Sequence, residues 1–504
     1  MDSSDDKIIS IDVSSNKVKV ALISYKLEIE SISMQYYDVI DEDVNGFAKK
    51  IDMKQLWNKI RVCIKNVIET KKKKSLNIIG ISSCAQRMAF VFLDKNGNEI
   101  YGGPNIDIRG IDSAYLIEDE FTDEEIFNIT GHGPNILFCL ARLLWYKEEE
   151  EERYNEIKKV LMLDDWLGYK LTNEMISDFT SVPESQIFDI NKMQWSSKII
   201  EAFDFDPDFF PELVYPGNII GYLKPDLKSW FGLNNSNIPI IKGGGDTHMT
   251  LLGMGAIKEG DIGISLGTTA PVDIITSKPI IDPEHNLWTT CHPIKGKWIL
   301  EANTGNTGNC YDWFKQAFFR DSTNGINDLI EIYVKKISPG ARSTYAYLGP
   351  EKMSIKDQTS IKRGVFVFEP PSMVSEELPK IEHFARSTFE NICFGILENY
   401  RLLLDFAESD IRLFCGGGMA NSNEFIKILA NVLNKDISVP KYKDSAFIGT
   451  SMNVLLGLKL YKNYEIMIEK LIESKKFNVD PSISKQYDSI YRDWKNLKSK
   501  IDEL

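Results

Sequence analysis

Apolar and polar positions along this chain follow two rhythms, and the changes between them mark out the elements. A short apolar run, Pro239-Ile240-Ile241-Lys242, feeds three glycines and a carboxylate, Gly243-Gly244-Gly245-Asp246. Apolar sequence resumes at Met249-Thr250-Leu251-Leu252. The pattern predicts a strand, a tight turn with Asp246 at its tip, and a helix beyond. Apolar runs at 7–12, 18–23, 77–82, 91–94 and 411–415 predict further strands, the first two forming a hairpin through Ser14-Ser15-Asn16. The pair Asn96-Gly97 predicts another hairpin. Residues 262–270 repeat the design of the first strand, alternating apolar positions followed by a small hydroxyl-bearing turn.

Helical spacing appears at Trp57, Ile60, Ile64, Val67 and Ile68, predicting a helix over 57–69. The run Lys71-Lys72-Lys73-Lys74 then sits favourably at its C-terminal end. Residues 110–175 read as mostly helical, with Lys147 and Glu148 to Glu152 at an exposed helix end and loop. Ile381, Phe384, Ala385, Phe389, Ile392 and Ile396 line one side of a helix over 381–404. A strand at 411–415 runs through Gly416-Gly417-Gly418 into a helix over 425–433, and the C-terminal stretch ends in helical segments. Two halves built on strand–glycine-turn–helix logic imply a bilobal α/β protein with a cleft.

Composition changes this picture little. The 504 residues, 43% hydrophobic and 26% charged, suit an ordinary globular protein of two or more domains. A net charge of -14 argues against a surface built for nucleic acid or anionic membrane, but leaves room for a local basic pocket. The acidic start, Met1-Asp2-Ser3-Ser4-Asp5-Asp6, is wrong for a signal peptide, and no run of eighteen apolar residues exists, so a cytoplasmic location is expected. The seven cysteines lack any C-x-x-C pair and are expected to be buried thiols. Cys291 and His292 are neighbours on a strand and face opposite ways, so no structural metal is expected.

The candidate chemistry lies at the glycine turns. Three glycines remove every Cβ ahead of Asp246, so a substrate could approach the backbone closely. Taken alone, such a carboxylate is ordinarily a turn residue or a helix N-cap. The turn 416–418 exposes backbone N–H groups before a helix, which suits an anion or a nucleotide, although a helix entry without ligand is the plainer account.

In these motifs the chain resembles the FGGY family of carbohydrate kinases, from about Ile8 to about Leu456. Residues 82–94 followed by Asn105-Ile106-Asp107-Ile108-Arg109 look like the family's sugar-binding stretch. Trp166-Leu167-Gly168-Tyr169-Lys170-Leu171-Thr172, Asp178, Phe188-Asp189 and Trp195-Ser196 match its next pattern, and Gly243-Gly244-Gly245-Asp246 its catalytic turn. Leu266-Gly267-Thr268-Thr269, residues 385–395 and Gly416-Gly417-Gly418-Met419-Ala420-Asn421-Ser422 are similar to its second phosphate turn, C-terminal signature and adenosine-side loop.

The resemblance implies a two-domain, actin-like (ribonuclease H-like) α/β fold, with a sugar-binding domain over 1–248 and a nucleotide-binding domain over 249–504. It implies ATP and Mg2+, with Asp246 as general base and, with Asp12, as metal-binding carboxylate. Ser14, Ser15, Lys19, Gly267, Thr268, Gly417, Gly418 and Asn421 would contact the nucleotide. Gln86, Arg87, Met88, Asp107, Asp246 and Thr247 would contact the sugar or polyol. Two departures stand out: Ser14 replaces the usual glycine of the first phosphate turn, and Asn173 replaces a glycine after Leu171-Thr172. The expected activity is phosphorylation of a sugar or polyol, with a ketopentose such as xylulose leading. An autoinducer-2 kinase, a glycerol kinase-like enzyme and a non-catalytic sugar- and nucleotide-binding regulator are the alternatives. For Arg87 both a sugar contact and a salt bridge to a nearby carboxylate remain open. Neither nucleic acid nor membrane is expected as a partner, and a homodimer is left open.

Overall fold

The computed structural model describes residues 6–70, 76–233, 237–319, 325–355, 363–370, 378–407, 410–442 and 444–502. The lysine run 71–74 and residues 1–5 of the acidic start lie outside them. The chain divides into two compact units, one of residues 1–257, 276–300 and 444–472, the other of 258–275, 301–443 and 473–504.

The first unit is built on a six-stranded sheet. Its order is Ile219–Tyr222, Pro239–Gly245, Asn77–Ala85, Asp6–Val13, Lys17–Ser24, Ile29–Tyr36. The expected hairpin is present, with Asp12 opposite Lys19. The strands Asp6–Val13, Asn77–Ala85 and Pro239–Gly245 run parallel to one another. Their near-continuous apolar character follows from burial on both faces, as parallel sheets require. Helix Met53–Glu69 starts one turn earlier than spacing predicts, because Asp52 caps it by accepting from Gln55 N at 2.9 Å. Its Leu56, Ile60, Cys63, Ile64 and Val67 are buried.

The region 110–175 is mostly helical, but a strand, Lys159–Met162, interrupts it. That strand pairs with Phe90–Leu93, and so short a segment, with three apolar residues, cannot be told from a buried helical turn by period alone. The expected exposed loop near Glu150 is instead a junction between helices Cys139–Glu149 and Glu151–Glu156. Asn173 ends helix Leu163–Thr172 at φ +75°, a left-handed position that asparagine tolerates, so the missing glycine costs little. Helix Asp246–Met254 packs on helix Ser445–Gly457, and both Gly253 and Gly449 lie where a Cβ would strike the other helix's backbone. That contact explains why residues near the C-terminus return to the first unit.

The second unit repeats the strand plan. Five consecutive strands of its sheet run Pro271–Thr276, Ile262–Ser265, Leu413–Gly416, Ile437–Pro440, Ser474–Phe477. A hairpin partner, a central strand, two parallel neighbours and a final antiparallel strand follow in the same sequence as in the first unit. Helix Ile381–Leu404 has the predicted bounds and buries His383, Ala385, Phe389, Ile392 and Ile396. All seven cysteines are buried and unbridged. Among the described residues, no helix is long and apolar enough to cross a membrane.

Candidate functional site

Parallel strands that end together deliver their following residues to one edge of a sheet, the usual location of ligand sites in open α/β sheets. In the first unit, Asp12 lies opposite Cys84, Val13 opposite Ala85, and Gly245 opposite Ala85 from the other side. The three strand ends therefore bring Asp12, Gln86 and Asp246 to one edge. Gly243 and Gly244 allow this spacing: a Cβ on the first would overlap the Ser83 carbonyl, and one on the second would overlap Thr180 Oγ1.

Asp246 is the half-buried first residue of its helix, and its Oδ1 accepts from Thr247 N at 2.7 Å. Burial, then the negative charge of Asp12, pushes its carboxyl up to about 7, against the opposing pull of Arg87 and the Thr247 hydrogen bonds. Asp12 is itself raised, by burial first and also by Asp444, while Lys19 opposes. Two carboxylates that each resist ionisation, one of them through the other's charge, form a donor set suited to a divalent cation. Tyr37, which no sequence motif singles out, donates to Ser14 O at 2.6 Å and accepts from Gln86 Nε2 at 3.0 Å. Burial and the charges of Asp12 and Asp246 hold its phenol well above the ordinary range, so it stays a neutral donor.

The other expected sugar-side residues divide. Arg87 is buried and its Nη1 donates to Glu184 Oε1 at 2.8 Å; Glu184 is fully buried. Arg87 Cγ also lies against Gly245, 3.2 Å from where a Cβ would stand. Met88 is half-buried and left-handed, at φ +54°. Thr247 is half-buried beside Asp246. Asp107, also expected to contact the sugar, is engaged by the protein itself. Its Oδ1 accepts from Lys49 N at 3.0 Å and Arg109 N at 3.2 Å, while Oδ2 accepts from Arg109 Nε at 2.8 Å and from the Tyr101 hydroxyl. With no exposed surface and four donors already engaged, this carboxylate braces the segment.

The first phosphate turn accommodates its serine without strain. Ser14 does not occupy a left-handed conformation, so serine there costs no backbone strain. Its Oγ lies 3.5 Å from Asp12 Oδ1, and Ser15 Oγ accepts from Asn105 Nδ2 at 3.3 Å. Lys19 is paired with Asp444 at 2.8 Å, which reduces the charge it can lend a phosphate.

In the second unit, Ser265 lies opposite Gly416, and Leu266 N donates to Gly416 O at 2.8 Å. The turns holding Gly267-Thr268 and Gly417-Gly418 are therefore side by side at one sheet end. Gly417 has φ +98°, and a Cβ there would overlap the Leu266 backbone, so glycine is required. Gly267, Thr268, Gly418 and Asn421 are exposed. A Cβ on Gly267 or Gly418 would meet nothing nearer than 3.7 or 4.0 Å, which leaves bare backbone open to a ligand. Such a cradle fits phosphates and a nucleoside. Asn421 Nδ2 donates to Gly418 O at 3.0 Å and closes its own turn.

Behind the strand that carries Asp246 lies a buried polar group that spacing does not reveal. Lys242 Nζ bonds Asp164 Oδ2 at 2.7 Å and Asp165 Oδ1, and approaches Asp178 Oδ2 at 3.4 Å. The three carboxylates converge closely enough for a metal, but the lysine ammonium occupies the middle of the group. Cys291 and His292 do point apart, to Met193 Sδ and Ala256 O respectively. The missed residues, Tyr37, Glu184, Thr180 and Lys242, act through contacts between distant segments that no local motif records.

Comparison with known proteins places this geometry. The model of the FGGY family of carbohydrate kinases, N-terminal domain, matches residues 7–253, and that of the C-terminal domain matches 262–456. The chain is 28% identical over 500 residues to YoaC of Bacillus subtilis (strain 168), provisionally named a sugar kinase, covering 97% of this chain and 98% of that protein. It is 27% identical over 437 residues to the xylulose kinase of Lactococcus lactis subsp. lactis (strain IL1403), covering 85% and 84%. The crystal structure of ligand-bound xylulose kinase from Lactobacillus acidophilus superposes with a TM-score of 0.85 at 18% identity, covering 99% of this chain and 98% of that one. That likeness identifies the fold as the two-domain, actin-like α/β fold.

Proposed function

This chain belongs to the FGGY family of carbohydrate kinases, and we propose that it transfers the γ-phosphate of ATP to a hydroxyl of a ketopentose such as xylulose, with Asp246 as general base. The observation that carries the reading is the meeting of Asp12, Arg87 and Asp246 around three strand ends, with the Asp246 carboxyl pushed up to about 7. A sugar hydroxyl has a pKa far above neutrality and attacks phosphorus well only when its proton is taken. A carboxylate whose pKa is drawn toward neutral pH is a stronger base than an ordinary aspartate, and is still ionised in good part at pH 7 to 8.

In this reading Asp246 accepts the hydroxyl proton as the new oxygen–phosphorus bond forms. Arg87, with donors only, orients substrate oxygens beside it. Asp12 and Asp246 would hold Mg2+, and the Gly267-Thr268 and Gly417-Gly418 turns, with Asn421, would border the nucleotide. When bound, ATP supplies the phosphoryl group and Mg2+ offsets the charge on its phosphates. Ser14 and Ser15 offer hydroxyls in place of the glycine backbone of the usual first turn. Lys19, already paired with Asp444, contributes less than an unpaired lysine would.

A coupled ADP-release assay over a panel of ketopentoses, other sugars, glycerol and autoinducer-2 tests the proposal. Turnover on xylulose or a near epimer supports it. A preference for glycerol or autoinducer-2 moves the enzyme to those substrate classes. ATP binding without turnover on any compound would identify a sugar- and nucleotide-binding regulator instead.

A further inference from the structure

The backbone that presents Asp246 is gripped from behind by side chains with no assigned part in the reaction. Gly245 N, one residue before Asp246, donates to Thr180 Oγ1 at 3.2 Å. The Thr180 hydroxyl proton is directed to Asp178 Oδ1, which also accepts from Thr180 N at 2.8 Å and Ser181 N at 3.3 Å. The threonine therefore has one available orientation: its hydroxyl gives its hydrogen to Asp178 and its lone pair to Gly245. Thr180 and Asp178 are both wholly buried. Gly244 packs directly on this pair, since an added Cβ would overlap Thr180 Oγ1 and stand 3.0 Å from Asp178 Oδ1. Two residues upstream on the same strand, Lys242 is bonded to Asp164 and approaches the other oxygen of Asp178.

The strand is thus held at Lys242, Gly244 and Gly245, and the next residue is the half-buried Asp246. A helix N-terminus without such a grip would let the carboxylate move with the fraying of its first turn. A general base needs its oxygen fixed against the hydroxyl to within a fraction of an ångström, and small misplacements cost large factors in rate.

We propose that Thr180, oriented by Asp178, is the positioning residue for Asp246: its hydroxyl fixes the Gly245 peptide and with it the direction of the base. The inference rests on the reading of Asp246 as general base. It concerns the geometry of the base and leaves every sugar and nucleotide contact other than Asp246 in place, so it predicts a loss in kcat with little change in either KM.

The test is steady-state kinetics on the full chain, with rates normalised to the folded fraction from thermal unfolding. Thr180→Val keeps the shape and removes the acceptor. It is expected to lower kcat about 10- to 100-fold, the scale of small misplacements, while KM for sugar and ATP change less than about twofold. Thr180→Ser keeps the hydroxyl and is expected to recover most of kcat. A brace serving only stability would lower the melting temperature of Thr180→Val and leave kcat of the folded enzyme intact. That result overturns the inference, as does a Thr180→Ser enzyme no faster than Thr180→Val. Thr180→Ala, which only removes atoms, takes the place of valine if that variant does not fold. Asp246→Asn is run beside them. Full activity in that variant removes the base assignment itself, whereas an inactive Asp246→Asn beside a fast Thr180→Val removes only the positioning role.

Discussion

Arg87 Nη1 and Glu184 Oε1 meet at 2.8 Å, with the arginine side chain 7% and the glutamate 0% exposed. A buried charge left without its partner typically costs about 3–5 kcal/mol. Arg87→Ala should therefore lower the melting temperature whether or not the arginine also touches sugar. Arg87→Ala combined with Glu184→Gln removes both charges and should regain much of the stability. If Arg87 orients the sugar, the stable double variant should still lose about 1–3 kcal/mol in kcat/KM for sugar, the scale of hydrogen bonds to charged groups, with KM for ATP unchanged. Melting temperature and both KM values, measured on one preparation, separate the roles. An unchanged sugar KM in the double variant would remove Arg87 from the site.

Asp246→Asn should lower kcat by roughly 10²-fold or more, the usual scale of general-base loss. Sugar KM should be largely kept, because the amide preserves shape and removes the negative charge that would accept the hydroxyl proton and face Mg2+. Single-turnover phosphorylation within about twofold of the parent would remove the assignment, since an interaction made only in the transition state must appear in kcat.

Ser14→Gly should leave KM for ATP equal or lower. Serine here sits in an ordinary backbone region and its hydroxyl is a long 3.5 Å from Asp12. Glycine therefore relieves no strain, and its gain is confined to closer approach of phosphate to the backbone. A clear rise in KM for ATP, with folding intact, would show that the serine hydroxyl itself serves the turn.

Much of the framework was legible in the sequence because it is written locally. The strand–glycine–aspartate run at 239–246, the hairpin at 7–23 and the helix at 381–404 each follow from a period and a turn within one short window. The strand Lys159–Met162 was not legible, since three apolar residues after a lysine, set between helices, carry no period of their own. The surroundings of Asp107 were hidden for a different reason: Lys49, Tyr101 and Arg109 close around its carboxylate only in the fold. Thr180 and Glu184 were invisible because their partners stand 65 and 97 residues away. Local spacing reports which residues a turn presents, and the grip behind the turn depends on tertiary contacts.

The paired carboxylates make stability depend on pH in a direction opposite to that of most acidic groups. An unfolded aspartate releases its proton near pH 4, whereas folded Asp246 holds it up to about 7, through burial and the charge of Asp12. Between those values the folded chain binds more protons than the unfolded one, so this group's contribution to stability falls as pH rises and levels off above about 7. Its size is on the order of a few kcal/mol. Asp246→Asn should therefore flatten the decline of melting temperature between pH 4 and 7, and Asp12→Asn should flatten it in part by removing the repelling charge. In the parent enzyme, kcat/KM should rise with pH through about 7 as the base ionises. A divalent cation held by both carboxylates favours their charged forms and competes with the proton. Added Mg2+ should raise the melting temperature more at pH 8 than at pH 5, and this difference should vanish in Asp246→Asn and in Asp12→Asn. Equal Mg2+ effects at both pH values in the parent, or an undiminished effect in both variants, would show that the cation binds elsewhere.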